Sequence, residues 1–407
     1  MAARELGRTG KRVTILEARN RCGGRINPLP AAEFGYRAEG GAEFVHGEAP
    51  VTRALMREAR LSLSPIEGTP WSVRDGAFSR NESPAPHTAR FYQALAKLKA
   101  DLSVAEFLER HFAGCQYRDL RCAIKRMVEG YDAADTARAS TLALRDEWIG
   151  HGTRGRIVGG YGALIEFLAT ECQRQGASIH LGAVVNAIEV SDGRAVVCCD
   201  DGGRYEGNAA INTMPLPLLT DIVLPRAARE KAAASADIGF GNVVKILLRF
   251  ATKWWAHAGG RDLADLSFLL SSARIPTWWT QHPAGLPVIT GWLAGPKTDT
   301  VARLSEHELI EMGLASLAEI FSLPLDPLTK SLVASRAINW GNDPFARGAY
   351  SFATPKTREA QSMLRRPDGG AVFFSGEALY RGRDMGTVEA ALASGLDTAR
   401  TILAIES

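Results

Sequence analysis

An α/β fold joined to an α+β part is predicted for this chain, on three observations. A helical stretch runs into an apolar strand near the N-terminus, a helix followed by several short strands fills residues 160–214, and the chain closes on a strand and a long helix. At 407 residues it exceeds what one hydrophobic core supports, so two domains are expected.

Residues 2–9 read as a helix stopped by Gly10, a residue that takes the left-handed conformation of a helix end cheaply. The strand RVTILE (12–17) follows, apolar enough to be covered on both faces. Residues 92–150 are expected to be mainly helical, with apolar residues three and four apart. After Gly159-Gly160-Tyr161-Gly162 comes the helix ALIEFLATECQRQG, then IHLG, VVNAIEV, AVVCCDD and NAAINTM, read as strands of one meander separated by Asp-Gly turns. Residues 243–250 and 287–293 read as further strands, AVFFSGE as another, and a helix is expected just after Gly386.

Composition excludes several classes. Apolar residues at 46% and charged residues at 23% describe an ordinary globular protein. The net charge of +3 is spread along the chain, so neither nucleic acid nor an anionic membrane is an expected partner. The six cysteines form no CxxC pair and no histidine cluster has ligand spacing, so no metal site is expected. The N-terminus is charged throughout, unlike a secretory signal, and no run approaches ~20 apolar residues. The expected compartment is the cytoplasm, without a membrane anchor. Oligomeric state leaves no signature.

A helix leading into an apolar strand that ends in an acid is the second half of a dinucleotide-binding βαβ unit, where the acid hydrogen-bonds ribose hydroxyls. Glu17 has that position, although a glutamate ending a strand is also common for structural reasons alone. Counting back ~20 residues places the glycine-rich phosphate loop before Met1. The expectation is therefore that the native start lies upstream, and that these 407 residues bind the cofactor weakly or not at all.

Four further segments carry a resemblance. They are LEARNRCGGRI (16–26), EGGAEFVHG (39–47), WGNDPFARGAY (340–350) and FFSGEALYRGRDMGTVEAALASG (373–395). In this order the chain resembles the flavin-dependent amine oxidases, of monoamine and polyamine oxidase type. The resemblance implies a Rossmann-like FAD-binding domain from three segments (1–54, 153–230, 343–407) and a helical and β-sheet substrate domain (55–152, 231–342). It implies FAD held by Glu17, Arg19, Gly24 and Arg25, with Gly41 and Ala42 packed beside the isoalloxazine and the Val185 backbone at adenine. Glu377 would reach the ribityl or phosphate region. Thr387 and Val388 would open a helix whose N–H groups face the flavin pyrimidine, where a helix N-terminus favours the reduced anion.

Amine oxidation removes a hydride equivalent from the carbon beside a neutral nitrogen, in a site kept from water. Lys245, in the apolar pattern VVKILLRF, is costly there unless its ammonium reaches a polar partner. It fits the wet face of a half-buried strand; the resemblance implies instead a catalytic lysine holding water at flavin N5. Trp340 is implied beside the flavin and Tyr350 as a substrate wall whose aromatic face guides the amine. Ala349 stands where monoamine oxidases carry their flavin-bonding cysteine, so FAD is expected to be non-covalent. Thr387 replaces a second tyrosine, and His46 has the polyamine-oxidase form, which points to the polyamine oxidase and histone-demethylase branches. Glu43 and Glu129 are candidates for reading a second amine, while Trp278 and Trp279 read as core. The expected reaction turns an amine and O2 into an imine, then an aldehyde, with hydrogen peroxide. The alternatives are a related desaturase or protoporphyrinogen oxidase-like enzyme, and an inactive flavin-free remnant.

Overall fold

The computed structural model describes residues 1–80, 85–148, 154–367 and 370–406. The last residues of the expected helical stretch 92–150 and the expected domain boundary at 152/153 lie outside them.

Near the N-terminus the helix Ala2–Arg8 leads to the strand Thr14–Glu17, which pairs in parallel with Ser178–Leu181. A second parallel pair joins Ala210–Asn212 to Val372–Phe374. The closing helix Val388–Glu406 packs on the first, with Leu6, Ala399 and Ile402 buried against Ile211 and Phe373.

The expected meander is smaller than predicted. Only Val185–Ser191, Arg194–Cys199 and Arg204–Gly207 form it, through turns where Asp192, Gly193 and Gly202 take positive φ. The residues after Leu181 are held elsewhere. Gly182 and Ala183 donate their N–H groups to the carbonyls of Arg19 and Glu17, which ties this segment to the end of the first strand.

The second half of the molecule is a seven-stranded sheet. Its order is Leu332–Asn339, Val243–Phe250, Val288–Ala294, Thr277–Thr280, Leu266–Leu270, Thr69–Arg74 and Ala77–Arg80. The last two strands come from the 55–152 part of the expected substrate domain, ahead of the stretch 92–150 expected to be helical. Residues 69–80 form a hairpin around Asp75-Gly76, both at positive φ, and helices occupy Pro50–Glu58 and stretches from Thr88 onward.

Alternation along Val243–Phe250 decides where the site forms. Val244, Ile246, Leu248 and Phe250 join the core under the helix Glu306–Phe321, with Trp278 and Leu317. Val243, Lys245 and Leu247 point to the opposite face. Lys245 lies in register with Trp292 on one neighbouring strand and Ile338 on the other. Neighbours on both sides hold that strand rigidly. This is a stable platform for a reactive side chain.

Candidate active site

Lys245 is 1% exposed, so it is not on a wet face. Its ammonium donates to the Gly41 carbonyl at 3.1 Å and to Glu43 at 2.8 Å, and lies 5.4 Å from the Trp279 ring centre. From there a run of rings leads away. Trp279 meets Trp292 at 5.6 Å, and Trp292 stacks with Tyr350 at 6.5 Å and 21°. The lysine and the tyrosine, 105 positions apart, thus bound one aromatic wall.

The glycine segments close round this wall. A Cβ on Gly41 would fall 1.9 Å from the Arg25 carbonyl oxygen and 3.1 Å from the Trp340 ring, so only glycine permits this approach. Trp340 is buried and donates from its indole to the Gly40 carbonyl at 3.2 Å, and the Ala42 N–H donates to the Arg25 carbonyl at 3.2 Å. Arg25 bridges to the Ala349 carbonyl and the Glu377 carboxylate, both at 2.8 Å. Ser351 donates to the same carboxylate from its hydroxyl and, at 3.3 Å, from its backbone N–H. Gly386, at φ +80°, turns the chain beside Tyr350, and Thr387 then caps the closing helix by accepting the Ala390 N–H at 3.2 Å. Val388 packs near Ala42 in the same cluster.

Glu17 and Arg19 are tied to the segment that precedes Val185, through the Ala183 and Gly182 N–H groups. Glu17 ends its strand and accepts the Arg19 N–H at 2.9 Å, while Val185 opens the first meander strand. Arg19 makes a two-pronged bond to Asp343 at 2.8 and 2.6 Å, which ties this segment to the Trp340 loop. Both arginines meet carboxylates of the chain itself.

A polar rim faces Tyr350. Its hydroxyl donates to the Tyr131 carbonyl at 2.7 Å, and the Tyr131 hydroxyl meets His46 Nδ1 at 3.1 Å. Burial, helped by the nearby Arg154 charge, lowers the His46 imidazole to about 4, so it is neutral at pH 7. Next along the chain, Asp132 is 9% exposed and its Oδ2 has no hydrogen-bond partner. Burial raises the Asp132 carboxyl well above the usual range, and the neighbouring Glu147 adds to the effect. Glu147 is itself pushed up to about 7 by burial and by Asp384, against the pull of Arg154.

Of the two carboxylates considered from sequence as amine readers, Glu43 is committed to a buried ion cluster and Glu129 is not saturated. Glu43 is paired with Lys245 and Arg156. Glu129 is buried with Lys125 at 3.6 Å and Lys297 at 3.8 Å, and its Oε2, like Asp132 Oδ2, has no hydrogen-bond partner. Trp278 is core as expected, but Trp279 is not merely core, because consecutive strand residues face opposite ways. That alternation was the available signal for it. Asp132, Glu147, Arg156 and Trp292 had no comparable mark.

The residues present fit a dinucleotide. Gly24 (φ +57°) and Gly376 (φ +150°), which precede Arg25 and Glu377, have no atom within 4 Å of where a Cβ would stand. Bare backbone facing open space there lets a flat or phosphorylated ligand approach closely.

Residues 1–403 match the family of flavin containing amine oxidoreductases. The chain belongs to that family. It is 28% identical to polyamine oxidase 5 of Oryza sativa subsp. japonica, over 97% of this chain and 83% of that protein. It is 25% identical to human lysine-specific histone demethylase 2, over 99% of this chain and 52% of the demethylase. Among solved structures, wild-type putrescine oxidase bound to putrescine superposes with a TM-score of 0.76 at 21% identity, covering 99% and 96% of the two chains. Cyclohexylamine oxidase from Brevibacterium oxydans gives 0.79 at 18%, covering 100% and 96%. The chain is an FAD-dependent amine oxidoreductase with a Rossmann-like α/β fold.

Proposed function

We propose that this enzyme oxidises an amine carrying a second cationic nitrogen, a diamine or polyamine, and passes the electrons to O2 with release of hydrogen peroxide. The observation that carries the substrate class is the buried, unpartnered Asp132 Oδ2 beside Glu147 at the Tyr350 end of the aromatic wall. A buried carboxyl oxygen without a donor is a cost to the fold, and the side-chain hydrogen bond that Asp132 does make is to another carboxyl, Glu147. An ammonium from a substrate would supply the missing donors and leave both carboxyls charge-compensated. Polyamine oxidases among the relatives and putrescine oxidase among the similar structures agree with such a substrate.

The roles follow from position. When bound, FAD would supply the acceptor for the hydride equivalent. Lys245, Gly41, Ala42 and Trp340 would hold its ring, with Thr387 and Val388 at the start of the closing helix. Arg25, Gly24 and Glu377, and then Arg19, Glu17 and Val185, would hold the rest of it. Tyr350 and Trp292 shield the reacting carbon from water and attract the cationic amine before it loses its proton. The neutral His46, bonded to Tyr131, adds a polar group but no charge near Tyr350. Ala349 offers no thiol for a bond to flavin, so the cofactor is held non-covalently. Segments 1–54, 153–230 and 343–407 bind FAD in this reading, and 55–152 with 231–342 form the substrate side. The cytoplasm is the proposed compartment, in keeping with six unpaired cysteines; among the described residues no helix is long and apolar enough to cross a membrane.

The test compares kcat/KM for putrescine and spermidine with that for hexylamine, read by anaerobic flavin bleaching and by peroxide release. Putrescine and spermidine should be preferred by at least tenfold. Equal turnover of hexylamine would remove the second-cation reading and leave the amine oxidase.

A further inference from the structure

An ammonium has three N–H donors. In Lys245 two of them are committed, to the Gly41 carbonyl and to Glu43. Glu43 in turn receives Arg156 Nε at 2.9 Å, Gln281 Nε2 at 3.1 Å and the Trp279 indole at 3.2 Å to each oxygen. These bonds saturate its lone pairs. Burial would push this carboxyl up, but Lys245, Arg156 and the hydrogen bonds hold it down at about 2. Glu43 is therefore ionised at every pH the enzyme meets.

The buried cluster contains two cations and one anion, a net charge of +1 at the base of the aromatic wall. Glu39, which feels the Lys245 charge, and Tyr36, which feels Glu43 and Arg156, are the other titratable groups facing it. Without the Glu43 carboxylate two cations would face each other away from water. Arginine does not shed its proton in such a site, whereas a buried lysine does. Glu43 is thus the counter-charge that holds these two cations together.

We propose that Glu43 is the positioning residue of the flavin site: it keeps Lys245 as an ammonium and, with the Gly41 carbonyl, leaves one N–H donor to aim at the flavin edge. This rests on the reading that the flavin ring lies against Lys245. A fixed positive charge beside the ring favours its reduced, anionic form, so the midpoint potential of the bound FAD reports the Lys245 charge.

The experiment is a cycle of holoenzymes, Glu43→Gln, Lys245→Met and the double variant, with Glu43→Asp as the conservative control. The two-electron midpoint potential is read by anaerobic dye titration and flavin reduction is followed from pH 6 to 10. Glu43→Gln should weaken flavin reduction about tenfold at equilibrium, ~30 mV, and add a pH-dependent limb that wild type lacks. The double variant should match Lys245→Met, and Glu43→Asp should stay within about threefold of wild type. The inference is overturned if Glu43→Gln keeps the wild-type potential and profile, if the two single effects add, or if Glu43→Asp behaves like Glu43→Gln. A Lys245→Met enzyme with unchanged potential and reduction rate would instead remove the placement of the flavin beside Lys245.

Discussion

Glu43 and Asp132 are both buried carboxyls, at opposite ends of the wall made by Trp279, Trp292 and Tyr350. At the Trp279 end, Glu43 is met by two cations, an indole and an amide, and lies at about 2. At the Tyr350 end, Asp132 keeps an oxygen without a donor, and both it and Glu147 are pushed upward. Burial raises every one of these carboxyls, so partners account for the opposite outcomes. A saturated carboxylate can only fix its neighbours. An unsaturated one has capacity left for a ligand. In the proposed reading the first end serves the cofactor and the second the substrate.

The sharpest way to break this division is Lys245→Met, which strips the first end of its ammonium. Flavin reduction by any amine should slow by about 10²–10³-fold, the cost of losing one preorganised donor at the reacting edge. A loss under threefold would show that chemistry happens elsewhere. The second end is tested by Asp132→Asn, which should raise KM for putrescine ten- to hundredfold, the worth of a hydrogen bond to a charged group. Hexylamine should be nearly unaffected. If both substrates lose equally, Asp132 supports the fold and does not read a cation.

Acidity provides a finer probe of the same end. Carboxyls with raised values are protonated, and blind to a cation, on the acid side. kcat/KM for putrescine should therefore rise with pH through about 7, where Glu147 titrates. Asp384 reinforces that upward shift and Arg154 opposes it, while Tyr131 and Tyr350, both raised by burial, stay neutral across this range. His46, at about 4, lies below it. Up to a tenfold difference between pH 6 and 7 is expected, absent for hexylamine and much reduced in Asp132→Asn. Parallel profiles for both substrates would assign the limb to deprotonation of the amine.

Much of this architecture could be read from residue order. Lys245 stood out as a lysine in the apolar pattern VVKILLRF, whereas Trp340 and Tyr350 were implied by the resemblance of WGNDPFARGAY. The two parallel pairs were only partly legible, since IHLG and NAAINTM have the same alternation as true meander strands. Which partner a short strand chooses depends on long-range bonds such as Gly182 to Arg19, which no local pattern encodes. Glu43 and Asp132 were hardest to place. An acid in a sequence carries no mark of its donors, and those donors, Arg156, Trp279, Gln281 and Lys245, come from three distant segments.

Glu39 separates partners from location as the cause of this contrast. It lies four positions before Glu43 and feels the same Lys245 charge, yet burial pushes it up to about 7. One oxygen accepts the Gly162 N–H at 3.3 Å, and Oε2 has no partner. By partners it belongs with Asp132, although it neighbours Glu43. A carboxyl raised from 4.5 to about 7 stabilises the fold at acid pH, and that contribution is lost as pH climbs through this window. Glu39→Gln keeps the shape and the acceptor for Gly162 while removing the titration. Its Tm should equal that of wild type near pH 4.5 and exceed it by about 2–4 °C above pH 7, read by scanning calorimetry. A variant less stable than wild type at pH 8 would mean that ionised Glu39 is held by Lys245 as firmly as Glu43 is, and proximity to the cation would then outweigh the number of donors.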